Sequence, residues 1–204
     1  MTWSLRITDH ASHMVYSQQA VNSCGIASVI MINFNMKKWL LAVAGAILPA
    51  PTLAVPSFGL ALHATVKSEK EVDLAYSKVT GKSYDGTTYT DAKMLVKVLN
   101  ELGIGNWVCE WYPTSQVAHK ITQFVGTRNG APVITHMAWN NGGYHFIVCD
   151  TIVRTRGKVY GDFCDPGDGT ARTFPLVEGQ NVNYDKNGSI AGALTGWVVY
   201  RTGA

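Results

Sequence analysis

Between Cys24 and Val125 the sequence is patterned for helices, and from Ala131 onward for strands and turns. Helices gathered first and antiparallel strands second predict an α+β fold in which the helical part packs on a C-terminal antiparallel sheet. With 204 residues the chain is read as one domain, 1–204, long enough to bury a real core.

Four helices are expected. The first is apolar and runs from about Cys24 to Phe34. Ser68 and Glu71 have the spacing of a capping box, opening a helix that turns Val72 and Tyr76 inward and stops before Gly81. Thr90-Asp91 opens the next, with Met94, Leu95, Val98, Leu99 and Leu102 as its apolar stripe and Gly103 as its stop. The fourth spans about Ser115 to Val125, with Val117, Ile121 and Phe124 on one face. Strands follow at 132–137, 144–154, 158–163, 173–176 and 195–201, the second and third joined as a hairpin through Thr155-Arg156-Gly157.

The stretch from about 35 to 66 is an apolar insertion. Met36 to Leu48 has the basic start and apolar run of a signal peptide but lies inside the chain. Trp39 to Leu48 is too short to span a bilayer and is followed by Pro49 and Pro51, so it reads as a buried helix ending there, without firm membrane association. Residues 1–19 lack a basic and then apolar lead, so no N-terminal signal peptide is expected, and any secretion would take a signal-independent route. The net charge is +3 with no dense Lys/Arg block, which argues against nucleic acid as a partner. Cys24, Cys109, Cys149 and Cys164 form no C-x-x-C pair and no zinc-finger spacing, so free thiols are expected and no metal or cofactor.

Three local signals carry chemistry. In Gln18-Gln19-Ala20-Val21-Asn22-Ser23-Cys24-Gly25 polar residues stop, a cysteine appears and the apolar helix begins. A thiol there feels the positive end of the helix dipole, which favours the nucleophilic thiolate. In Gly142-Gly143-Tyr144-His145-Phe146-Ile147-Val148 a histidine opens an apolar strand beside a glycine pair, which puts an imidazole at the sheet rim. In Asp162-Phe163-Cys164-Asp165-Pro166-Gly167 a strand ends in an acid that can hold the second imidazole nitrogen. Asp150 and Asp162 are alternative acids inside strands, and Asp168 reads as turn chemistry. The calcium-loop pattern of spaced carboxylates is missing. Trp139 and the loop Asn140 to Gly143 are candidates to shape a cleft, and Trp107 and Trp111 are assigned to the core, with the cleft wall as the alternative.

Together these residues resemble the papain-like cysteine peptidase superfamily, in particular its compact bacterial branches: bacteriocin-leader-processing peptidase domains and avirulence-type proteases. The shared pattern is Gln18…Cys24-Gly25, then Gly143-Tyr144-His145-Phe146-Ile147-Val148, then Asp165-Pro166, and it covers about 16–34 and 95–169. The resemblance implies a papain-like fold and a thiol protease with Cys24 as nucleophile, His145 as base, Asp165 as its orienting acid, and Gln18 with the Cys24 N–H as oxyanion hole. Gln18 fits the family spacing better than Gln19. A protein or peptide substrate, a bacterial effector or toxin role and an inhibitory or immunity partner are the further implications. The same triad acting on a peptidoglycan amide or other non-protein amide or ester, and an inactive binding module, stay open as alternatives.

Overall fold

A computed structural model describes residues 3–45, 69–86, 89–127, 130–186 and 190–203. In chain order they form β1 (Trp3–Ile7), β2 (Ser12–Tyr16), α1 (Cys24–Gly45), α2 (69–80), α3 (Ala92–Glu101), β3 (Asn106–Trp111) and α4 (Thr114–Val125). Six strands follow: β4 (Val133–Trp139), β5 (Tyr144–Thr155), β6 (Lys158–Asp165), β7 (Thr170–Pro175), β8 (Asn183–Lys186) and β9 (Ile190–Thr202). The fold is α+β. Its main sheet is antiparallel and seven-stranded, in the order β3-β9-β4-β5-β6-β7, with β8 also pairing with β9.

Strand alternation divides the core in two. Ile134, Val148 and Val199 face one side of the sheet and pack with α1, α2 and α3. Their neighbours Val133, Ile147 and Val198 face the other and pack with α4. The central strands β4 and β5 are covered on both faces, which is why they read as nearly continuous apolar runs. The expected separation of helices first and strands second is incomplete in sequence, because β1 and β2 precede α1 and β3 stands between α3 and α4. In space α4 lies across the sheet from the other three helices.

From Gly25 to Phe34 helix α1 is buried all round. Val29, Met31 and Ile32 are buried, as are the polar Ser28 and Asn33 on either side of them. Such a helix belongs in the middle of a domain. Asn33 donates from Nδ2 to Glu71 Oε2 of α2 at 3.1 Å while its Oδ1 is buried without a hydrogen-bond partner among the described residues, and Lys37 pairs with the same carboxylate. Where a helix end at Phe34 is expected, α1 continues to Gly45, so the start of the apolar insertion extends the helix that begins at Cys24. The rest of the insertion, including Pro49, Pro51 and Pro56, and the capping residue Ser68 lie outside the described residues. No helix among the described residues is long and apolar enough to cross a membrane.

The α3 cap forms as expected: Asp91 accepts from Met94 N–H at 2.7 Å, and Leu95, Val98 and Leu99 are buried. Arg156 and Gly157 both adopt positive φ between Thr155 and Lys158, the two-residue hairpin whose twist matches the strands. Four strands were not legible. The polar lead forms the β1–β2 hairpin, β3 pairs with the far end of β9, and β8 pairs with its near end. Trp107 is buried, but Trp111 is 54% exposed, which corrects its assignment to the core; its indole N–H donates to Thr195 O at 3.1 Å.

Candidate active site

Cys24 is the first residue of α1, and the turn before it fixes its place. Ser23 O accepts the first helical bond from Ala27 N–H, while its hydroxyl ties back to Ala20 O at 2.8 Å. Gly25 brings the loop before α3 close: a Cβ there would lie 2.1 Å from Thr90 Oγ1. His145 is the second residue of β5 and Asp165 the last of β6. Adjacent antiparallel strands thus carry base and acid to the same rim of the sheet.

There Asp165 Oδ1 accepts from His145 Nε2 at 2.6 Å and from Gly167 N–H at 2.7 Å, while Oδ2 accepts from Tyr184 O–H at 2.5 Å. With Nε2 engaged by Asp165, Nδ1 is the nitrogen available to Cys24. Burial of Cys24 opposes the thiolate, yet the hydrogen bond and charge of His145, with N–H groups of Phe146 and Gly25, outweigh it and lower the thiol pKa. Burial likewise disfavours the imidazolium, but the hydrogen bonds to Asp165 and Cys24 push His145 up to about 9. Asp165 is fully buried; burial would raise its pKa, and the hydrogen bond and charge of His145 hold it below the ordinary carboxylate range. The three groups favour a thiolate–imidazolium pair backed by a carboxylate.

Trp139 stacks on His145 at 5.7 Å between ring centroids, with Tyr184 edge-on to its far side. Gly167 leaves room for the imidazole: a Cβ there would lie 3.2 Å from His145 Cε1 and Nε2 and 3.0 Å from Asp165 Oδ1. Cys24 and His145 open into a cleft of about 990 Å³ that also contains Gln18, Trp139 and the loop residues Asn141 to Gly143.

Gln18 lines this cleft, whereas Gln19 lines a separate cavity with Tyr84. The Gln18 backbone N–H donates to Pro166 O at 2.7 Å, which ties the segment before Cys24 to the turn after Asp165. Its Nε2 donates to Val21 O at 3.2 Å, which leaves a second N–H on that nitrogen.

The alternative acids serve a different histidine. His13, on β2, is buried between Asp150, with Nδ1 to Oδ1 at 2.9 Å, and Asp162, with Nε2 to Oδ2 at 3.3 Å. Burial opposes its charge, but the two carboxylates push its pKa up to about 9. Asp162 also accepts from Thr8 and Thr173, and a register shift between Cys149 and Thr151 turns Asp150 toward His13. Asp168 holds Arg172 at 2.8 Å. His13, Asp150 and Cys164 bring ligand atoms within 4.8 Å of one another and are the described residues that could hold a metal ion, although hydrogen bonds already join them. All four cysteines are free, and burial raises the Cys149 and Cys164 thiols well above the ordinary value.

Sequence reasoning did not reach Tyr184, His136 or His13. Each meets partners distant in sequence, and none stands in a pattern of its own. No family model matches the chain, and no curated protein matches it.

Proposed function

We propose that the chain is a papain-like thiol hydrolase that cleaves peptide bonds by acyl transfer through Cys24, His145 and Asp165. The observation that carries this is the relay itself: a helix-start thiol with lowered pKa faces an imidazole whose other nitrogen is bonded to a buried carboxylate. The pattern Gln18…Cys24-Gly25, Tyr144-His145-Phe146 and Asp165-Pro166 supports the same reading from the sequence side.

In this reading the Cys24 thiolate attacks the substrate carbonyl carbon. Negative charge gathers on the carbonyl oxygen, which the Cys24 backbone N–H and the second N–H on Gln18 Nε2 receive. The His145 imidazolium protonates the departing amine from Nδ1, leaving a thioester on Cys24. Neutral His145 then takes a proton from water as the water attacks the thioester; the acid product departs, Cys24 leaves as the thiolate, and the thiolate–imidazolium pair is restored. Asp165 fixes the ring and its tautomer throughout and stabilises the imidazolium without taking the proton. Trp139 shields the His145–Asp165 bond from water, which strengthens it.

The test compares wild type with Cys24→Ala for alkylation by iodoacetamide at neutral pH and for cleavage of a denatured protein mixture read by mass spectrometry. Wild type is expected to alkylate at Cys24 ahead of its other thiols and to generate new peptide termini, and the variant to do neither. Hydrolysis retained in the variant, or a Cys24 no more reactive than an ordinary thiol, would overturn the reading.

A further inference from the structure

His136 stands in the same cleft as Cys24 and takes no part in the relay. It lies at a break in the sheet, where the β4–β9 register shifts between Thr135 and Met137. Bulges of this kind re-aim a side chain and recur beside active sites. Here Thr195 fills the gap in the ladder: its hydroxyl donates to His136 O at 3.1 Å, and its oxygen lies 2.8 Å from His136 Nδ1. A hydroxyl has one proton. If it went to Nδ1, Thr195 Oγ1 and His136 O would face each other as two acceptors. Only one arrangement satisfies both contacts: the hydroxyl donates to the carbonyl, and Nδ1–H donates to the hydroxyl oxygen.

That arrangement fixes the tautomer. With the proton on Nδ1, Nε2 of the neutral ring is a bare acceptor. The ring stays neutral because burial and the nearby positive charge of His145 both lower its pKa. The same positive charge disfavours a cationic group at this place. Tyr144 stacks on the imidazole at 5.0 Å between centroids, and Phe146, opposite His136 across β4 and β5, lies at 4.9 Å. The imidazole thus sits in the cleft against one stacked and one tilted aromatic ring, a setting suited to a planar, uncharged donor.

We infer that His136 is the specificity-determining acceptor of the cleft and takes the N–H of an uncharged carboxamide side chain of the substrate, as in glutamine or asparagine. This rests on the acyl-transfer reading of Cys24 and names the substrate feature that reading leaves open. A site built to receive a hydrogen bond rejects an apolar analogue strongly, because its own polar group is then left unpaired.

The probes are peptidyl acyloxymethyl ketones in which glutamine replaces norleucine at each of four positions in turn. Their rates of Cys24 inactivation are measured beside that of methyl methanethiolsulfonate, a small thiol reagent with no N–H. Wild type is expected to favour glutamine by at least tenfold at one position. His136→Phe is expected to erase that preference when each rate is taken relative to the same protein's rate with the small reagent. Thr195→Val, which releases the tautomer lock while keeping the histidine, is expected to reduce the preference several-fold. Absence of a glutamine preference in wild type, or its persistence in folded His136→Phe or Thr195→Val, would overturn the inference and leave the acyl-transfer reading standing. A Cys24 inert toward the small reagent would instead remove that underlying reading.

Discussion

Replacing Asp165 with asparagine removes one charge from the relay while keeping the shape of the side chain. Burial works against a charged His145, so its pKa of about 9, against an ordinary 6.5, is set by Asp165 and Cys24 acting together. A lift of that size is worth roughly 3 kcal/mol of preference for the imidazolium. Asp165 supplies the foremost of the favourable contributions, through its hydrogen bond and then its charge. The His145 midpoint in Asp165→Asn is therefore expected to fall by more than one pH unit. With less positive charge beside it, the Cys24 thiol is expected to rise, and alkylation at pH 6 to slow by about tenfold or more. The assay is an NMR titration of the His145 ring protons together with the pH dependence of iodoacetamide labelling. Both can be followed without a known substrate. The substitution also leaves the Tyr184 hydroxyl facing an amide nitrogen in place of Oδ2, at a cost of about 1–3 kcal/mol in stability, so folding is checked by thermal unfolding. A folded variant in which His145 still titrates near 9 would refute the reasoning.

Gly167→Ala is expected to lower the alkylation rate of Cys24 with little loss of stability, since its methyl group would crowd the imidazole at 3.2 Å; a wild-type rate would show that the ring has room to yield. His13→Phe removes the imidazole that lies between buried Asp162 and the largely buried Asp150, leaving His10 at 3.3 Å from Asp162 and no imidazole on Asp150, and is expected to destabilise the fold by about 3–5 kcal/mol in urea unfolding; a loss below 1 kcal/mol would contradict this. In wild type the sign of the His13 contribution follows from a pKa raised on folding. Its stabilisation is complete below 6.5 and is lost as pH rises through about 9, so unfolding midpoints should drop over that window and stay flatter in His13→Phe.

The β1–β2 hairpin that carries His13 runs directly into the segment holding Gln18. The buried network of His13 with Asp150 and Asp162 fastens that hairpin to β5 and β6, and the Gln18–Pro166 backbone bond fastens its exit to the turn after Asp165. Packing far from Cys24 thus sets where the cleft wall begins.

What the sequence determined by itself is what depends on neighbours along the chain. The cap at Asp91, the apolar stripe of α3, the Arg156-Gly157 turn and the start of the apolar helix at Cys24 are all local events, and their residue types announce them. His145 at a strand start and Asp165 at a strand end were legible for the same reason. The β1–β2, β3 and β8 strands were not, because their polar or mixed residues pair with partners elsewhere, β3 with a strand nearly a hundred residues away. Only the tertiary structure separated the acids. Asp150, Asp162 and Asp165 lie on two neighbouring strands, but the β5–β6 register shift turns Asp150 toward His13, and strand pairing alone delivers Asp165 to His145. It also separated the glutamines, placing Gln18 in the Cys24 cleft and Gln19 in another cavity. Spacing along a chain fixes which residues can share an element; register and bulges between elements decide which side chains meet.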